Sequence, residues 1–174
     1  MMPIANPRPV WKSILIYPIA ILLLTICLAG NAPAAATIDG AFGIKFGQTL
    51  KEVKVVRSHV NGTLHRVKPP DPLSLLRIYT VEVSGPKKRI YRIVGQSLVN
   101  DNAACNEDLG SIMAILRSRY GEPQSGTGGV YRFSEGSRSI TASCGLEGGI
   151  TARGMYKVKV TYEDSSLMGG SGGL

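Results

Sequence analysis

An α+β domain is the fold this sequence predicts: an antiparallel sheet of about five to seven strands, covered by two helices and closed by one disulfide. Three observations predict it. Apolar residues recur at helical spacing in Cys105, Leu109, Ile112, Leu116 and Tyr120. Several short runs rich in Val, Ile and Tyr are bounded by glycine and proline, as strands are. Two cysteines, Cys105 and Cys144, remain once an N-terminal export segment is set aside.

That segment comes first. Arg8 and Lys12 precede an apolar run at 14–28, and Ala34, Ala35 and Ala36 stand where a signal peptidase site belongs. The expected division is a signal peptide at 1–36, one α+β domain at 37–164 and a disordered Gly/Ser-rich tail at 165–174. Cleavage removes Cys27, and in an oxidising compartment the two remaining thiols pair by default. An uncleaved run would instead be an inner-membrane anchor, with the domain still outside the cytoplasm, because basic residues precede the run and none follows closely. The expected location is periplasmic or secreted. Removing Arg8 and Lys12 from the 20 basic residues leaves 18 against 12 acidic ones, a formal charge of +6 that favours anionic partners.

Along the predicted domain, Phe42, Ile44 and Phe46 alternate with Ala41, Gly43 and Lys45, the period of a short strand. Thr49 and Glu52 form a Thr-x-x-Glu capping box, and Leu50, Val53, Val56 and Val60 follow at helical spacing, so a first helix is expected there. Asn61-Gly62 turns the chain into a strand at 63–67, and the proline-rich 68–72 is a loop. Strands at 75–83 and 89–96 flank Ser84-Gly85-Pro86 as a hairpin. The second helix runs to Tyr120, where Gly121 supplies the C-cap and Pro123 forbids continuation. Three further strands, at 130–133, 139–144 and 154–162, form a meander. In the last, Tyr156, Val158, Val160 and Tyr162 share one face, and Met155, Lys157, Lys159 and Thr161 the other.

Cys105 on the helix stripe and Cys144 on the strand face of Ile140 and Ala142 both point into one helix–sheet interior, which makes their disulfide structural. No Cys-x-x-Cys suggests a redox role. Lys87, Lys88 and Arg89, with Arg92 on the returning strand, gather positive charge at the hairpin tip, the best surface for an anionic partner. His59 and His65 are the only histidines; with no third ligand at recognisable spacing they give no metal site, and no cofactor is expected. A Gly-x-Ser-x-Gly elbow is absent, and Ser84-Gly85-Pro86-Lys87 places its serine in a turn, not at a helix start. Asn61-Gly62-Thr63 is a glycosylation string. Nucleic acid ranks third among partners because aromatics are few and no RNA- or DNA-binding motif occurs.

The segments Phe42-Gly43-Ile44-Lys45-Phe46-Gly47-Gln48-Thr49, Arg119-Tyr120-Gly121-Glu122-Pro123 and Val160-Thr161-Tyr162-Glu163-Asp164 resemble a loose group of small exported bacterial proteins of unknown function. The layout is also similar to the helix-plus-sheet domains of small envelope assembly lipoproteins and secreted enzyme inhibitors, a resemblance that implies protein binding. The functional expectation is an exported, non-enzymatic envelope protein. It would bind another protein, or an anionic lipid or polysaccharide, through a sheet face or the basic hairpin. The alternative is a small extracytoplasmic hydrolase or other enzyme using His59 or His65.

Overall fold

Residues 35–59, 62–148 and 154–168 are described by the structure, a computed structural model, and belong to the second of two units, whose boundary falls after Ala34. The apolar run at 14–28, Val60 and Asn61 lie outside the described residues.

The described chain opens on a tight hairpin. Strands β1 (Gly40–Ala41) and β2 (Ile44–Lys45) pair across Phe42 and Gly43, whose φ values of 55° and 77° are both positive, as a two-residue hairpin turn requires. The alternation at 41–46 therefore reports a turn and not one strand. A 3-10 turn follows at Leu50–Glu52, where the Glu52 carboxylate accepts hydrogen bonds from the backbone N and the Oγ1 of Thr49, both 2.7 Å.

This is where the expected first helix fails. The capping box forms, but the chain leaves it after one turn as strand β3 (Lys54–Ser58). A one-turn nucleus is costly, and the β-branched Val53, Val55 and Val56 favour an extended chain once the edge of β4 (Leu64–Lys68) is available to pair. Among the described residues there is thus one α-helix, not two.

Strands β5 (Ile78–Ser84), β6 (Arg89–Val99), β7 (Ser125–Thr127), β8 (Val130–Glu135), β9 (Arg138–Leu146) and β10 (Tyr156–Asp164) complete an eight-stranded sheet in the order β3-β4-β5-β6-β10-β9-β8-β7. Every pairing is antiparallel. The last strand in sequence lies at the centre, between β6 and β9, and buries Val158, Val160 and Tyr162 on one face.

Helix α1 (Asn102–Tyr120) crosses that face. The Asp101 side chain caps it by accepting from Ala104 N at 2.8 Å, and Gly121, at φ 81°, donates its N–H back to Arg117 O at 2.9 Å. Its buried stripe is Cys105, Leu109, Ile112, Met113 and Leu116. Cys105 and Cys144 stand at disulfide distance, with Cα atoms 5.8 Å apart, and tie the first turn of α1 to β9.

Beyond the reach of α1 the same face is covered by the β1–β2 hairpin. Phe42 packs edge-on against Tyr79 and Tyr162, with ring centroids 5.0 and 5.6 Å away. Gly95 in mid-strand β6 makes room for it: a Cβ there would lie 3.0 Å from Phe42 Cζ and 2.6 Å from Leu76 Cδ1. The segment expected to be a disordered tail begins ordered, as Ser165–Leu167 form a 3-10 turn held by Ser165 N to Ser137 O at 2.9 Å and by the Ser84 hydroxyl donating to Leu167 O.

Candidate anion-binding face

One face of the sheet is buried under α1 and the N-terminal hairpin; the other carries the charge. Paired residues in a sheet share a face. Lys54 pairs with Lys68, and Arg57 with Arg66, across the β3–β4 edge, so four cations project from one side while His65 and Val67 are buried on the other. The β-bulge between Val55 and Arg57 creates this alignment: it shifts the register so that Lys54 and Arg57, three apart in sequence, both meet a basic partner. Val56, the residue it displaces, is 61% exposed.

The register carries the same face across the molecule. Arg66 pairs with Thr80, Thr80 with Val94, Val94 with Thr161, Thr161 with Thr141, and Thr141 with Arg132. In the neighbouring row Lys159 lies between Gln96 and Ser143. Six cations, Lys54, Arg57, Arg66, Lys68, Arg132 and Lys159, therefore share this face, and among the described residues none has a carboxylate at salt-bridge distance.

Two further cations on the face are paired with carboxylates. Arg92 bonds Glu82 at 2.8 Å and Glu163 at 2.6 Å, and Lys157 pairs with Glu147. Burial alone would lower the Arg92 pKa, but the hydrogen bonds to the two carboxylates outweigh it and raise the value, fixing the guanidinium as a cation. Tyr91, which donates to the same Glu82 oxygen at 2.5 Å, is pushed up to about 12, first by burial and then by that hydrogen bond.

Of the expected basic tip, Lys87, Lys88 and Arg89 are exposed at the β5–β6 turn, beside a shallow cavity of about 290 Å³ that Ser84 and Leu167 also line. Arg92 does not join them, because its charge is spent on Glu82 and Glu163. His59 is exposed at the end of β3, and His65 is 2% exposed with both ring nitrogens engaged, Nδ1 with Ser58 Oγ at 2.8 Å and Nε2 with Gly62 O at 3.1 Å. Since Nε2 faces a carbonyl it carries the hydrogen, and in the neutral ring Nδ1 accepts from the Ser58 hydroxyl. His65 thereby ties the last residue of β3 to the turn that leads into β4. No group of three or more His, Cys, Asp and Glu that could hold a metal ion occurs among the described residues.

Sequence reasoning missed the β3–β4 cluster because two of its members lie in the segment read as a helix. The usable signal was Arg66 and Lys68 flanking Val67, a basic–apolar–basic alternation at an edge.

These features define a class: an eight-stranded antiparallel sheet with one helix packed on one face and a basic opposite face. Searches of known protein families, curated proteins and solved structures find no match to this chain.

Proposed function

We propose that the chain is an exported, non-catalytic envelope protein that binds an anionic envelope component through the open face of its sheet. The observation that carries this is the pair of directly opposed like charges, Lys54 with Lys68 and Arg57 with Arg66. Like charges opposite one another destabilise a sheet, and the usual edge defence of scattered lysines does not require them to be paired. Such an arrangement is favourable when a multivalent anion lies across it. The open face is built from strands and offers no aromatic rows for base stacking, which favours phosphate- or carboxylate-bearing lipid head groups or polysaccharide over single-stranded nucleic acid. Each basic residue near an anionic lipid surface contributes about 1 kcal/mol, so the β3–β4 cluster alone supports measurable attachment.

Cosedimentation with vesicles tests this. Wild type is expected to sediment with vesicles containing anionic lipid and not with neutral ones, and raised salt should release it through screening. Replacing Arg66 and Lys68 together with serine should weaken binding by about 30-fold, two increments of about 1 kcal/mol. Unchanged binding in that double variant contradicts the proposal. Competition by a soluble anionic polysaccharide identifies which source of charge is preferred.

A hydrolase built on Ser58 and His65 has one observation in its favour, their 2.8 Å contact. A carbonyl oxygen, Gly62 O, holds Nε2 where a triad would place a carboxylate, and neither histidine lines a described cavity. Retention of full anion binding by Ser58→Ala is the expected result under the binding reading.

A further inference from the structure

Between α1 and the β1–β2 hairpin lies a cavity of about 390 Å³ that none of the roles above uses. Its walls include Phe42, Ile112, Ile115, Leu116 and Tyr120, and its floor is Val160 and Tyr162 of the central strand β10. The volume falls within the ~300–1,000 Å³ typical of small-molecule sites. Ile115, 45% exposed, stands at its mouth on the outer flank of the helix stripe.

Tyr162 is the informative group. The residue is only 7% exposed, and its hydroxyl has no hydrogen-bond partner among the described residues. No fully enclosed side-chain polar atom in the described structure lacks a partner, so the Tyr162 oxygen must open onto free space, and the space it borders is this cavity. The other tyrosine of the aromatic cluster behaves differently: Tyr79 donates to Leu73 O at 2.8 Å. Burial, reinforced by the nearby Tyr120 and opposed by Arg119, raises the Tyr162 pKa, so the phenol stays protonated as a donor.

The rim carries Asp39 and Asp71 against Lys45 and Arg119, two charges of each sign, and no salt bridge neutralises any of them among the described residues. A balanced rim gives no preference for net charge. Apolar walls of Phe42, Ile112, Leu116 and Val160, with the Tyr162 hydroxyl inside and Tyr120 beside it, select an apolar body carrying a hydrogen-bond acceptor.

We propose that this cavity binds a small uncharged amphiphile, an acyl- or alkyl-like body whose single hydroxyl or carbonyl oxygen accepts a hydrogen bond from Tyr162. The site is separate from the basic face, and its occupancy does not depend on anion binding.

The test is displacement of the neutral fluorescent probe N-phenyl-1-naphthylamine from the protein by octan-1-ol, octane and octanoate. Wild type is expected to bind octan-1-ol more tightly than either of the others. Tyr162→Phe keeps the ring and removes only the hydroxyl; it should weaken octan-1-ol by about fivefold, the loss of one neutral hydrogen bond, and leave octane unchanged. Ile115→Glu, at an exposed position where folding is spared, should weaken both ligands. Equal effects of Tyr162→Phe on alcohol and alkane overturn the assignment, as does no response to either variant. Octanoate binding as tightly as the alcohol overturns the uncharged class.

Discussion

Asp164 shows how much one residue at the end of the central strand holds. It is buried to 3% exposure, accepts from Ser137 and Ser166 hydroxyls and Ser166 N, and pairs with Arg138 Nε at 2.9 Å. Burial alone would raise its pKa, but those hydrogen bonds win and hold it below the ordinary carboxylate value. A carboxyl depressed on folding stabilises fully above its unfolded pKa, and that contribution is lost as pH falls through the folded value. The domain should therefore lose stability below about pH 4, and Asp164→Asn should flatten this acid dependence in chemical denaturation measured across pH. Asp164→Ala, leaving Arg138 and the serines unpartnered, should cost about 2 kcal/mol at neutral pH. Gly95 makes a steric claim at the same scale. Gly95→Val should destabilise by about 1–3 kcal/mol by pushing Phe42 and Leu76 off the sheet, a loss readable in the near-UV dichroism of the Phe42, Tyr79 and Tyr162 cluster.

Elements with strong local signals were legible before the structure. Helix α1 had an unbroken apolar stripe, a glycine C-cap and a proline stop, and it forms; its start at the Asp101 cap lies ahead of the stripe. The β5–β6 hairpin followed from two Val-, Ile- and Tyr-rich runs flanking Ser84-Gly85-Pro86, and the face assignment of β10 from period-two patterning. Segment 49–60 was misleading for a physical reason: the spacing of Leu50, Val53 and Val56 fits a helix stripe, but 54–58 also suits a bulged edge strand, and the choice is made by pairing with β4, which no local pattern encodes. Because half of the basic cluster lay in that segment, the site was illegible until the pairing was known. The opposed charges predict an unusual response at this scale. Lys68→Glu, which replaces repulsion from Lys54 by attraction, should stabilise the domain by about 0.5 kcal/mol, seen as a raised Tm, while lowering affinity for anionic vesicles. Stability gained with binding lost is the signature of residues kept for a partner.

At the scale of the whole molecule, the sheet separates two surfaces with different work. The covered face holds the core, the cavity under Phe42 and the Cys105–Cys144 link; the open face holds the β3–β4 basic cluster with Arg132 and Lys159. The cysteine link spans 39 residues of sequence that contain most of α1 and all of β7 and β8. In the chain-entropy account a closure of that length contributes about 4 kcal/mol, so reductant should lower the denaturation midpoint by a corresponding amount without changing anion affinity at temperatures where the domain stays folded. The central claim is that the open face, and not the β5–β6 tip, meets the partner. The most direct measurement is vesicle affinity for two triple variants side by side, Lys54, Arg66 and Lys68 to serine against Lys87, Lys88 and Arg89 to serine, which remove the same charge from different places. Loss of binding in the first with the second near wild type is the predicted result; equal losses, or a loss confined to the tip variant, would show that net charge or the hairpin tip carries the interaction and the sheet face does not.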